Sequence, residues 1–228
     1  MLVTDIMLFL YKSIIMKFKL FLSIALLISL SSYSQWETSK QEFKSPGLKS
    51  LVYNAKTVAI LPYKANISYK KMPKGVTIEN IKEEEKVASN QMQEGMYTYL
   101  LRKSKDYSVS FQDISRTNAL LKKAGIYDNL DEVLADSICK VLGVDAVIKS
   151  TWTYEKTGSE AGAIISSLAF GVAKGVASGS LVLQLYGAKD GELAWRFYKE
   201  MNESAFSSAS ILMERMMRKV GRNFPFEK

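Results

Sequence analysis

Histidine is absent from all 228 residues of the chain. That removes the usual general base near neutral pH and the commonest metal ligand, and with them histidine-dependent triads, dyads and zinc sites. Two chemistries that need no histidine stay open, a Ser–Lys pair and a pair of carboxylates. Ser68-Tyr69-Lys70-Lys71 formally places a serine three residues before a lysine. It falls in a stretch read as a loop, Tyr63 to Thr77, so the match is read as chance. Glu83-Glu84-Glu85 offers three carboxylates, yet consecutive helical residues point about 100° apart and do not converge on one ion. The run is read as a solvated face. Asp190-Gly191-Glu192 has oxygens of the kind calcium accepts, but a turn accounts for Asp and Gly without a metal. Cys139 is the single cysteine, so no intramolecular disulfide forms, and within a helical pattern it reads as a small buried hydrophobe. Trp152 and Trp195 read as core or sheet-face aromatics. No cofactor and no metal set is implied, and a hydrolase working without histidine ranks behind every binding role.

The elements that position these residues follow from periodicity. Val58 to Leu61 is a short apolar run stopped by Pro62, the pattern of a strand buried on both faces. A long helix follows, with Ile78, Ile81, Ala88, Met92, Met96 and Tyr99 on one stripe. Tyr107 to Phe111 reads as a second strand, and Asp113 or Ser115 caps a helix through Lys123 that Gly125 ends. Asn129, with Glu132 three residues on, has the form of a capping box for another helix. Its expected buried face is Leu130, Val133, Leu134, Ile138, Val141 and Leu142, with Gly143 closing it. Val144 to Tyr154 is a third strand. Leu181, Leu183 and Leu185 alternate along one strand, and Leu193, Trp195 and Phe197 along the next, with the Asp190-Gly191 turn between them as a hairpin. The last helix runs from about Ser207 to Val220, with Ala209, Leu212, Met213, Met216 and Val220 inward. The expected fold is α/β of the mixed kind, one domain with helices packed on a mixed sheet.

The amino-terminal stretch and one stretch within the domain carry the signals of address. Met16 to Lys19 is a short basic start, Leu20 to Leu30 an apolar run, and Ser31 to Ser34 small and polar, the order of a signal peptide spanning 1–34 with cleavage before Gln35. Met16 is then the expected true start. The alternative is an uncleaved anchor formed by both apolar runs. Residues 35–55 read as a lead-in segment and 56–228 as the domain. No lipobox cysteine is present, so the expected location is the periplasm or the periplasmic face of the outer membrane. Within the domain, residues 158–180 form a Gly/Ala/Ser-rich apolar insertion, unlike the short polar connections of soluble folds. Ile164, Ile165, Leu168 and Phe170 supply its apolar bulk. Gly171, Gly175 and Gly179 make two Gly-x-x-x-Gly steps, a spacing that lets helices approach closely in lipid. Residues 161–178 are marginal for a helical span and long enough, folded back, for two barrel strands. The reading preferred here is a helix used for packing or self-association, with membrane association as the alternative.

Charge excludes little. Lys and Arg number 31 against 23 acids, a net +8, and removing the leader leaves about +6. The basic residues are dispersed in small clusters without an aromatic-basic stripe, so no nucleic-acid partner is expected.

Val58-Ala59-Ile60-Leu61-Pro62, then Leu142-Gly143-Val144-Asp145-Ala146-Val147-Ile148, then the stretch from Leu183 through Asp190-Gly191-Glu192 to Trp195 together resemble the landmarks of one exported bacterial envelope group. That group contains the TolB amino-terminal domain, the penicillin-binding-protein activator LpoB and the curli secretion channel subunit CsgG. The resemblance runs from about Lys56 to Pro225. It implies a mixed α/β domain that binds or scaffolds an envelope protein partner in surface assembly or secretion, as a non-enzyme. A membrane-inserted, homo-oligomeric, channel-like subunit is the alternative it implies. The chain departs from the group in lacking the lipobox cysteine and in carrying Gly187 where an aspartate is common.

Overall fold

The computed structural model of the chain describes residues 40–72, 74–156, 177–203 and 209–228. The leader, and the insertion residues Ile164, Ile165, Leu168, Phe170, Gly171 and Gly175, lie outside the described residues. Ser39–Lys228 is one compact unit. Its elements are β1 (Lys40–Lys44), α1 (Leu48–Asn54), β2 (Thr57–Ile60), β3 (Lys64–Tyr69), α2 (Ile78–Arg102), β4 (Ser110–Phe111), α3 (Ile114–Lys123), α4 (Ala135–Leu142), β5 (Ala146–Lys156), β6 (Ala177–Gly187), β7 (Leu193–Glu203) and α5 (Ala209–Val220).

The seven strands form one mixed sheet in the order β1-β7-β6-β5-β2-β4, and β3 pairs with β5 off that path. Strands β1, β7, β6 and β5 are antiparallel neighbours, whereas β2 lies parallel to both β5 and β4. The mixed α/β architecture expected from the element order is the one present.

Two apolar layers explain the burial. On one face Val58, Ile60, Ala146, Ile148, Trp152, Tyr154, Leu181, Leu183, Leu185, Trp195 and Phe197 meet Met92, Met96 and Leu100 of α2 and Met213, Met216 and Val220 of α5. This is the period-2 alternation of the strands meeting the 3.6 period of the helices. On the other face Ala59, Leu61 and Val147 meet Leu121 of α3 and Ile138, Cys139 and Leu142 of α4. Strand β2 is therefore covered on both sides, as its continuous apolar run implies. Phe224 and Phe226 close the larger layer, Phe224 lying edge-on to Tyr107 and Trp195.

Several boundaries differ from the sequence expectations. Residues read as a lead-in contribute β1 and α1. Of the stretch read as a loop, Lys64–Tyr69 is β3, six residues paired in parallel with Thr151 to Lys156. The run KEEEK is solvated only in part. Glu85 Oε1 accepts the outward backbone N–H of Ile67 at 2.8 Å, and Glu84 accepts from Tyr69 Oη at 3.0 Å and from Lys156 Nζ. Lys156 in turn lies over the Tyr69 ring, 4.9 Å from its centre. These carboxylates stitch β3 to α2 and cover a strand edge that would otherwise present unpaired backbone groups.

Helix α4 begins at Ala135, not at Asn129. Leu134 is its N-cap without a side-chain cap bond, and Glu132 N donates to Asn129 O at 2.9 Å in a turn. Turns let Ile126, Tyr127, Leu130 and Val133 all pack against the smaller layer, whereas Leu134 is left 74% exposed and Val141 is also exposed. Capping comes instead at α2, where Thr77 and Asn80 bond reciprocally, Asn80 N to Thr77 Oγ1 at 3.2 Å and Thr77 N to Asn80 Oδ1 at 3.0 Å. At α3, Asp113 accepts from Arg116 N at 3.0 Å. Gly143 ends α4 at φ +66°, as expected for a left-handed C-cap.

Replacing Glu85 with Ala leaves the Ile67 N–H without its charged acceptor, a loss on the order of 2 kcal/mol. Hydrogen exchange at the Ile67 amide should accelerate while amides of β6 keep their protection. Unchanged exchange at Ile67 would show that the carboxylate does not hold the edge.

Candidate functional site

Strand β2 stops at Pro62, and β5 runs on. It pairs with β2 through Ile148 and takes up β3 only from Thr151. Between the two neighbours, Lys149 and Ser150 lie where one parallel partner has ended and the next has not begun. A cleft of about 860 Å³ opens there, lined by residues 61–65, by Glu85, Lys86, Ser89 and Asn90 of α2, by the turns at 127–132, by Lys149 to Thr151 and by Gln184 and Tyr186 of β6. It sits beyond the carboxyl end of β2, where ligand crevices commonly lie in open α/β sheets.

Its polar groups are mostly engaged with one another. Lys64 Nζ pairs with Asp131 Oδ2 at 2.5 Å, both side chains more than half exposed. Ser89 Oγ donates to Tyr63 O at 2.6 Å, and Tyr127 Oη lies 3.5 Å from Asn90 Oδ1. Beneath the cleft Gln93 Nε2 donates to Ile60 O at 2.8 Å and shares a reciprocal amide pair with Asn118. This satisfies a carbonyl at the end of β2. Ser150 Oγ is buried there without a hydrogen-bond partner among the described residues, and Lys149 keeps donors to spare. Its ammonium reaches Val133 O at a long 3.4 Å, and burial pulls its pKa below the usual lysine value, with Asp131 opposing the shift.

Reactive alternatives are unsupported by geometry. Ser68 is exposed on β3 and Lys71 is exposed beyond its end, and no hydrogen bond joins them. Cys139 is buried, and its thiol is pushed up to about 12, first by burial and then by Asp136 and Asp145. Among the described residues no group of three or more metal-ligating side chains assembles.

Of the residues singled out at the insertion, Gly179 is described, and it is extended in β6 opposite Tyr154 and Met201. A Cβ there would lie 3.1 Å from Thr153 O and 3.4 Å from the Tyr154 ring, so the glycine serves close strand approach. Asp190 and Gly191 lie in the connection between β6 and β7. Asp190 Oδ1 accepts from Glu192 N at 3.0 Å and Gly191 has φ +69°. The connection spans residues 188–192, longer than a two-residue turn, and a register shift at Leu185/Tyr186 accompanies it. Leu193 is consequently half-buried, while Trp195 and Phe197 keep the expected face. The cleft itself has no motif. Its one sequence signal is the lysine that follows the apolar run Ala146-Val147-Ile148 at the start of β5.

The charged form of Lys149 is disfavoured in the fold, so below its folded pKa the fold carries the desolvation cost in full. That cost fades as pH climbs from the folded pKa toward the ordinary lysine value of about 10.4, a window in which the unfolded chain binds more protons. Lys149→Met, which keeps the stem and drops the charge, should therefore raise the melting temperature at pH 7, by a margin that shrinks toward pH 10.5. Thermal melts across that range test this, and a margin independent of pH contradicts it.

No family model matches the chain. No curated protein matches it either. Among solved structures it is similar to lipoprotein GNA1162 from Neisseria meningitidis, at a TM-score of 0.40 and 14% identity over 73% of this chain and 94% of that one. It is similar to the PelC dodecamer from Paraburkholderia phytofirmans, at a TM-score of 0.35 and 11% identity over 83% of this chain and 99% of that one. It is also similar to the LpoB C-terminal domain from Salmonella enterica, at a TM-score of 0.33 and 11% identity over 69% of this chain and 94% of that one. The LpoB part of the sequence resemblance is met again here. At these scores the likenesses decide neither function nor partner, which rest on the chain's own geometry.

Proposed function

We propose that the chain is a non-catalytic protein of the bacterial cell envelope that binds a protein partner through the cleft at the end of β2. The observation that carries this reading is the state of the cleft's polar groups. Lys64 with Asp131, Glu85 with Ile67 and Ser89 with Tyr63 are already bonded within the protein. Such groups are poor proton carriers, and they present a fixed pattern of donors, acceptors and tyrosines suited to recognition. The signal-peptide pattern at 1–34 and the resemblance to the TolB, LpoB and CsgG group supply the envelope setting.

A photo-crosslinking residue at Asn90 or Tyr127 should capture one defined envelope protein. Lys149→Glu, which reverses the charge at the cleft floor, should weaken that capture tenfold or more, about 1.4 kcal/mol. Saturable turnover of any substrate that disappears in Lys149→Met or Lys71→Ala would overturn the non-catalytic reading. The mature amino terminus should be Gln35.

A second reading is membrane association or self-association through the part of the insertion that precedes β6, residues 158–176. One observation favours it: Lys156 and Ala177, which flank residues 157–176, are register partners on β5 and β6, so the apolar stretch leaves and re-enters the sheet at one point. The same pairing supplies a clean test. Replacing residues 157–176 with Asn-Gly closes that pair with a two-residue turn and leaves the strands whole. Membrane fractionation and oligomer size should both change, and a variant that folds with neither altered removes this reading. Among the described residues no helix is long and apolar enough to cross a membrane.

A further inference from the structure

At the end of the sheet where β3 and β5 finish, three lysines stand without an ion-pair partner among the described residues. Lys70 N donates to Lys156 O at 2.9 Å, which holds the segment after β3 beside the last residue of β5. Lys70, Lys71 and Lys74 follow one another there, all exposed. Among the described residues none of the three forms an ion pair. The nearby carboxylates are largely engaged. Glu84 holds Lys156 and Tyr69, and Glu85 holds the Ile67 amide. Glu79 lies against the start of α2, where the helix N–H and Thr77 keep its carboxyl below the usual range. Glu83 and Glu155 remain exposed, the former beside Lys82.

Apolar side chains are interleaved with these lysines. Met72 is 50% exposed and Ile78 is 64% exposed. Helix α2 runs against the direction of β3, since Glu85 meets Ile67 while Ser89 meets Tyr63. Its first residue therefore projects beyond the sheet, about 10 Å from Glu85 at 1.5 Å per residue. Lysines at the level of protruding Met and Ile side chains match the boundary of a bilayer, where ammoniums meet lipid phosphates and short apolar groups enter the acyl region.

We propose that this rim, Lys70, Lys71, Met72, Lys74 and Ile78, docks the domain on an anionic phospholipid surface. The rim adjoins Lys156 and so lies at the point where the insertion leaves the sheet. The proposal does not require the insertion to enter the bilayer, and the two are separable.

The test is co-sedimentation of the chain from Gln35 onward, which contains the whole compact unit, with vesicles of phosphatidylcholine alone or mixed with phosphatidylglycerol. Binding should favour the anionic vesicles and fall steeply as salt approaches about 1 M, where the screening length is about 3 Å. Each lysine near a charged bilayer contributes about a fivefold effect, so the combined Lys70→Gln, Lys71→Gln and Lys74→Gln variant should bind roughly a hundredfold more weakly. Met72→Ser with Ile78→Ser should weaken binding about tenfold or more without changing its salt dependence. These side chains are exposed, and circular dichroism checks that the variants fold. Equal binding to both vesicle types, or wild-type binding by the triple Gln variant, overturns the proposal. If replacing 157–176 with Asn-Gly abolishes binding while the lysines have no effect, the rim is wrong and the insertion reading stands. If lysine-dependent binding survives that replacement, the rim stands without the insertion.

Discussion

Strand β5 is eleven residues long and β2, which lies beside its first part, is four. Pro62 ends β2 because proline brings no N–H to a ladder, so the remainder of β5 would be an open edge next to a buried core. Most of what is distinctive in the molecule answers that mismatch. Strand β3 covers the outer half of β5, and because β3 then becomes the edge, Glu85 takes its outward amide. On its other side β5 is matched by β6 along its whole length, from Ala146 opposite Gly187 to Lys156 opposite Ala177. The single long strand thus carries two parallel neighbours in succession, and the seam between them is the cleft.

The same constraint separates the molecule's two surfaces of interest. At the seam the backbone must leave one ladder and join another, and the polar groups there are paired to satisfy it: Gln93 on Ile60 O, Ser89 on Tyr63 O. At the outer end of β5 no such demand exists. The Tyr69–Glu84–Lys156 cluster already closes β3 onto β5, and the residues beyond it are relieved of any structural duty. A paired surface recognises by pattern, whereas an unpaired basic one attracts at range and is screened by salt. The cleft and the rim therefore suit different partners.

The sequence was legible where a strand faced one core and burial imposed a period of two. Leu181, Leu183 and Leu185 are fully buried, as are Trp195 and Phe197 within a percent, because an antiparallel strand facing one core must alternate. Strand β2 was legible for the opposite reason, being apolar without alternation. What stayed hidden was held by polar bonds. KANISY has one buried residue, Ile67, and its strand character comes from pairing with β5 and from Glu85, neither visible in local pattern. KQEFK likewise shows its place only through Glu42, which accepts from Trp195 Nε1 at 2.9 Å across the β1–β7 pair. The capping box written into Asn129 and Glu132 was outweighed by packing: four side chains between 126 and 133 reach the smaller core only if the chain turns rather than coils. The cleft and its Lys149 were not legible at all, since the lining comes from five separate stretches of the chain.

Stability and function can be told apart at the two surfaces for a physical reason. Lys149 has an interior cost, so a change there alters folding whatever it does to the proposed recognition, and its pH dependence separates the two. Lys70, Lys71 and Lys74 bond to nothing through their side chains among the described residues, and three like charges in one segment repel rather than hold. The fold gives no reason for them. Glutamine at all three positions removes the field while leaving the pairing of Lys70 N with Lys156 O intact, because that bond belongs to the backbone. A loss of surface affinity in a chain whose melting temperature has not moved would then be an electrostatic loss, arising from the rim alone.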